Sequence, residues 1–231
     1  MSKIIFYELN EVPLRIFEHF SRIRPNSVIS FINKNSNKYE TFAEDEGHLS
    51  PWITWPTVHR GVTNTYHNIY DFGQNLQHVD IDYPPIWQLL ALKNIKVGVF
   101  GSLHSYPVPQ ILNNYKFFIP DTFAAGPKCY PEKFTDFQKF NLSMTELNAK
   151  NTTKKINFKD AFNFIKNAPS LGLTFESQVK IAQQLFLEKL DSKKTTRRRT
   201  FQAKISFDLF MSSLKKNLPD ISFFFTNHVA S

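Results

Sequence analysis

Apolar residues gather along this chain in two patterns: short unbroken runs, and stripes with a residue every three or four positions. Unbroken runs mark strands buried on both faces of a parallel sheet, and stripes mark helices laid against one. Lys3 to Leu9 is such a run, stopping abruptly at Asn10-Glu11 as a central strand entering a polar loop would. Ile95 to Phe100 and Ile221 to Phe225 repeat the form, and Lys116 to Ile119 is a shorter version that ends in Pro120-Asp121-Thr122. Pro13 to Ile23 carries Leu14, Ile16, Phe17, Phe20 and Ile23 nearly all on one helical face, with Pro13 suited to a first turn. Ile86 to Leu92, Phe175 to Leu190 and Arg199 to Leu214 are further helices; Ser27 to Phe31 is a helical turn, and Asn37 to Ala43 a weaker strand or extended segment. Helix, short turn and β-branched strand, as in Ile86 to Phe100, is the repeating unit of α/β folds. The pattern predicts an α/β domain in which helices flank a mostly parallel central sheet, a three-layer α/β/α arrangement.

Two stretches break the pattern. Asp71 to Tyr83 is polar, contains Gly73 and reads as a long loop, a class often tied to function. Residues 124 to 153, rich in Pro, Lys, Asn and Thr, read as an irregular cover or insertion with short helices. No internal repeat divides residues 1–231, so one domain is expected. The strand at Ile221 is followed by Thr226-Asn227-His228 and the end of the sequence, which predicts a sheet incomplete at its C-terminal side.

Composition narrows the class. Hydrophobic residues make up 42% and charged residues 21%, which is neither a disordered nor a membrane composition. Lys plus Arg number 28 against 20 acids, a net charge of +8 that would attract anions such as phosphate esters or nucleic acid. The densest basic piece, Lys193 to Arg199, is read first as a solvated connection or helix start and second as an anion-binding patch. It lacks interleaved aromatics, so nucleic acid is an unlikely partner. Cys129 is the single cysteine, which leaves His, carboxylate and amide as metal ligands. With no signal-peptide pattern and no apolar run long enough to span a bilayer, a cytoplasmic location is the default.

Candidate chemistry concentrates between Ser50 and Asn68. Pro51 and Pro56 frame Thr54, and the residues after Trp55 can enter a helix, which would set Thr54 just ahead of a helix N-terminus. Free backbone N–H groups and the helix dipole favour a phosphate or developing oxyanion there. The competing reading is that Thr54 or Thr57 simply caps the helix. The acidic Glu44-Asp45-Glu46 run reads as a solvated loop, and His59 and Arg60 as packing and surface residues. His67 and His104 lie in plausible site loops without metal-binding spacing.

With these pieces in order, the chain resembles the amino-terminal part of the alkaline phosphatase superfamily, in its type I phosphodiesterase and nucleotide pyrophosphatase branch. In that branch a first strand ends in an acidic metal ligand and a Thr-Phe-Pro-Asn segment supplies the nucleophile. Here the strand ends at Glu8, and Thr54-Trp55-Pro56-Thr57 stands at the nucleophile segment. His67-Asn68-Ile69 is similar to a following His-Gly-Ile, and Val97 to Gly101 with Tyr106-Pro107 to the second strand and its loop. The resemblance implies Thr54 as nucleophile and metal ligand, Thr57 as a phosphate-oxygen donor, Glu8 or Asn10 as a metal ligand, and His228 as a further metal ligand or a group supporting the ligands from behind. It implies two divalent cations, zinc by preference, on the order of 4 Å apart, acting on a small-molecule phosphate ester. Glu8 stands for the branch's Asp, Thr57 for its Asn, and no carboxylate matches at Thr226-Asn227. A second reading is therefore a catalytically incomplete member acting as a non-enzymatic module.

Overall fold

The computed structural model of the chain describes residues 3–149, 158–191 and 197–227. Four parallel strands, β1 (Ile4–Leu9), β2 (Val97–Phe100), β3 (Tyr115–Ile119) and β4 (Ile221–Thr226), form one sheet in the order β1-β4-β2-β3. The fold is thus α/β with an all-parallel sheet. β4 inserts between the two strands that the sequence places far before it, pairing Glu8 with Phe225 on one side and Phe100 with Phe224 on the other.

The unbroken apolar runs explain the central position of β2 and β4, since each must offer a hydrophobic side chain to both faces. On one face Phe100, Phe117, Ile119 and Phe224 pack with Phe134, Phe137, Phe164 and Phe210. Those partners come from α7 (Thr135–Ala149), α8 (Phe158–Leu171) and α10 (Arg198–Asn217), with a 3₁₀ turn at Glu132–Phe134. On the other face Val97, Val99, Phe118, Ile221 and Phe223 pack with Trp87 and Ala91 of α6 (Ile86–Leu92). Phe117 and Phe118 reach opposite faces, and Tyr115 shares the second, because the β2–β3 register slips between Val97 and Gly98. This slip skips Lys116, a β-bulge that turns the following side chains over.

The remaining helices are α1 (Leu14–Ile23), α2 (Val28–Asn35), α3 (Pro51–Arg60), α4 (Asn64–His67), α5 (Gln77–Asp82) and α9 (Phe175–Leu190). Four stretches differ from the sequence reading. Residues 135–149 are one regular helix and not an irregular cover, because Phe137, Phe140 and Met144 recur at helical spacing beneath the polar surface. The expected loop Asp71–Tyr83 contains α5. Asn37 to Ala43 joins no ladder among the described residues. α8 lies where the pattern predicted nothing. No helix among the described residues is long and apolar enough to cross a membrane.

Candidate functional site

Parallel strands open their carboxyl ends onto one edge, and ligands of α/β sheets bind there. Here that edge carries Glu8 and Asn10 from β1, Gly101 and Ser102 after β2, Asp121 after β3, and Thr226 and Asn227 from β4. Helix α3 lies across the β1–β4 end: Trp55 meets Phe225 edge-on at 5.4 Å, and His59 lies 4.8 Å from Trp87.

The helix begins earlier than the sequence reading placed it. Pro51 occupies its first position, where a missing N–H costs nothing, so Thr54 sits inside the first turn and not ahead of it. Its N–H is bonded to Ser50 O at 3.0 Å, and its hydroxyl donates to the same carbonyl at 3.1 Å. Neither Thr54 nor Thr57 caps the helix; Ser50 is the N-cap residue, with no side-chain bond. Thr54 lines an open hollow of about 330 Å³ together with Asn10, Glu11, Ser50 and Trp55. Asn10 is fixed at its floor, accepting from Trp55 Nε1 at 2.8 Å and donating to Asn227 Oδ1 at 2.7 Å. On the far side of Asn227 lies a second cavity of about 250 Å³, at the ends of β2, β3 and β4. It is lined by Arg199, Gln202, Asn141, Thr122 and Thr145, and Gln202 donates to Asn141 Oδ1 at 2.7 Å.

Glu8 belongs to a separate, buried cluster. Its Oε1 faces His59 Nε2 at 3.0 Å and its Oε2 accepts from Ser102 Oγ at 2.9 Å, with all three residues at most 6% exposed. Gly101, at φ +76°, makes the left-handed turn that swings Ser102 beneath the carboxylate. A carboxylate accepts, which puts the ring proton of His59 on Nε2 and leaves Nδ1 buried with no partner. His59 is therefore more than a packing residue. Arg60 is not at the surface either: its guanidinium is buried, donates to Asp80 Oδ1 at 2.8 Å and also reaches Tyr83 O.

Thr57 does not line the hollow that Thr54 lines. Its hydroxyl donates to Asp45 Oδ1 at 2.7 Å and lies 3.0 Å from His67 Nε2. His67 Nδ1 accepts the Ile69 N–H at 3.0 Å, so the neutral ring carries its proton on Nε2 and donates to Thr57. Burial, reinforced by the Arg60 charge, pushes the His67 pKa down to about 4 against the opposing pull of Asp45. The chain Asp45–Thr57–His67 is thus a fixed polar clasp in which the imidazole gives a hydrogen bond and takes none from the hydroxyl. Asp45 also accepts the Asn64 N–H at 2.8 Å, so part of the acidic run is tied to α4 and not simply solvated.

At the end of β3, burial raises the Asp121 carboxyl to about 6, although the N–H groups of Phe123 at 2.8 Å and Ser105 at 3.3 Å favour its ionised form.

Of the residues proposed as metal ligands, Asn10 and Thr54 share a hollow, Glu8 faces the His59–Ser102 cluster, and His228 lies outside the described residues. Each donor atom of the first three is already engaged by a protein partner. Among the described residues no group of three His, Cys, Asp or Glu side chains is placed to hold a metal. The described donor set does not fit a pair of zinc ions. No protein family, curated protein or solved structure matches the chain.

Ser102 and Asn227 could have been found from the sequence, since both lie within two residues of a strand's end. Asn141, Thr145 and Gln202 carry no such signal, because they sit on helices whose position against the sheet only the fold determines.

Proposed function

We propose that the chain is a three-layer α/β domain of alkaline phosphatase-like organisation that binds a phosphate ester at the carboxyl edge of its sheet and transfers the phosphoryl group to Thr54. The observation that carries this reading is the convergence of Thr54 and Asn10 on one hollow, joined through Asn227 to a cavity that bears Arg199. A guanidinium and several amides suit phosphoryl oxygens, and the hollow exposes a hydroxyl to attack from. In the transfer, Oγ1 of Thr54 forms its bond to phosphorus as the bond to the leaving alcohol breaks. The threonine proton passes to solvent, and the departing alkoxide takes one from water. Water then hydrolyses the phosphothreonine. No step is routed through a metal, because the candidate ligands do not converge.

A specific observation favours the second reading, a non-enzymatic module: both oxygens of Glu8 are satisfied internally. Release of p-nitrophenol from bis(p-nitrophenyl) phosphate, measured with and without added zinc, separates the two. The enzyme reading expects release that falls by at least about a hundredfold in Thr54→Ala, on the scale of losing an attacking group. Equal release from both proteins, or none from either, contradicts transfer to Thr54 and favours the module.

A further inference from the structure

A cavity larger than the Thr54 hollow lies away from it. It occupies about 740 Å³ between α5, α6 and the β2–β3 connection, against the side of β3. That volume falls in the range of small-molecule sites, roughly 300 to 1,000 Å³. Its walls are mainly apolar, built from Trp87, Ala91, Val108 and Phe118 with polar side chains such as Gln88 and Asn114 among them, and the exposed side chains of Ile111 and Leu92 stand at its rim.

Two polar residues among its walls each leave one buried atom without a partner. The Tyr115 hydroxyl is buried with no hydrogen bond, on a residue only 3% exposed. His104 points Nε2 toward Asp71 O at 3.2 Å, which puts the ring proton there and leaves Nδ1 a buried acceptor with nothing to accept. Leaving such groups unpaired costs about 1 to 3 kcal/mol each, a cost that a ligand supplying the missing partners would remove.

Charge is already balanced inside the cavity. Asp80 lines it and is held by Arg60 at 2.8 Å, and burial keeps His104 neutral down to about pH 4. A charged ligand would lose its hydration there and find no free counter-charge among these groups. We propose that this cavity is a binding site for an uncharged, largely apolar small molecule that carries a hydrogen-bonding oxygen or nitrogen at its buried end. The bulge at Lys116 gives the site a structural reason, because it sets Tyr115 and Phe118 together on this face.

N-phenylnaphthylamine, an uncharged dye that brightens in apolar sites and carries one N–H, is the probe. With the full chain, its fluorescence should saturate at one dye per protein, and Ile111→Asp or Leu92→Asp at the rim should each weaken binding about tenfold or more. Both positions are exposed, so melting temperature should stay close to that of the wild type. Naphthol should displace the dye better than naphthalene, and Tyr115→Phe should erase most of that preference, about tenfold. The proposal is overturned by dye binding that does not saturate, by binding indifferent to both rim variants, or by a naphthol preference that survives in Tyr115→Phe. It is equally overturned if Phe6→Lys, on the opposite edge of the sheet, abolishes the signal.

Discussion

Burial acts in opposite directions on a histidine and on a carboxylic acid, and this chain buries both kinds near the ends of its strands. His67 and His104 are each driven down to about 4, chiefly because burial penalises the imidazolium. Their contribution to stability is present above the ordinary histidine value near 6.5 and is lost as pH falls toward 4, since the unfolded chain takes up those protons first. Asp121, raised to about 6 by burial, works the other way: its contribution is present below the ordinary Asp value near 3.9 and is lost as pH rises through 6. Between pH 4 and 6 the carboxyl therefore offsets part of what the two histidines do. Asp121→Asn removes the offset, so the variant's stability should drop more steeply than the wild type's on acidification from pH 6 to pH 4. Urea unfolding across that range reads the slope directly, and parallel curves for the two proteins would show that Asp121 ionises alike in folded and unfolded chains.

At the scale of elements, the sheet depends on a close approach between β2 and β3. A Cβ on Gly98 would stand 2.3 Å from Cζ of Phe117, whose ring belongs to the buried cluster beneath α7 and α10. Gly98→Ala must therefore displace that ring, an overpacking cost of about 1 to 3 kcal/mol, visible as a lower midpoint in denaturant titration. A midpoint equal to wild type would mean that the ring has room to move.

The same elements show how much was legible in the sequence. All four strands were visible as apolar runs, and for β2 and β4 this is because a strand buried on both faces needs no partner to be recognised. β1, read as a central strand, instead lies at the sheet's edge with Ile4 to Tyr7 exposed. Helices α1, α6, α9 and α10 were visible as stripes. The helix over Thr135–Ala149 was hidden because polar Gln138 and Asn141 fall among its buried positions and interrupt the apolar stripe, and its buried Phe137 makes sense only against Phe100 of β2. The start of α3 was misplaced because two prolines, Pro51 and Pro56, each suit a first turn, and only packing against β1 and β4 chooses between them. The shared hollow of Asn10 and Thr54 was partly foreseen from strand ends. The capture of Glu8 by His59 and Ser102 was not, because those residues lie 51 and 94 positions away along the chain.

At the scale of the whole molecule, the two edges of the sheet are treated differently. β3 is partly closed by Tyr130, which pairs antiparallel with Phe118 through bonds of 2.6 and 2.8 Å. β1 pairs with no further strand among the described residues, and Ile4, Ile5, Phe6 and Tyr7 stay between 46% and 52% exposed, on both faces of the strand. Nearby in sequence, Leu14, Ile16 and Ile23 of α1 and Val28 and Phe31 of α2 are exposed as well. An open apolar edge of this kind is sticky toward other strands. Sedimentation velocity should show concentration-dependent association of the wild type that Phe6→Lys suppresses; two equally monomeric proteins would mean that the edge does not self-pair.

The proposed function rests on the carboxyl edge of the sheet, where the strands bring Asn10, Asn227 and the first turn of α3 together. The proposed transfer to Thr54 would leave a covalent trace, so acid quenching of the chain with p-nitrophenyl phosphate, followed by peptide mass spectrometry, tests it most directly. The account predicts a phosphoryl group on Thr54 that is absent from Thr54→Ala; a quenched protein carrying no phosphate, or carrying it on another residue, would contradict it.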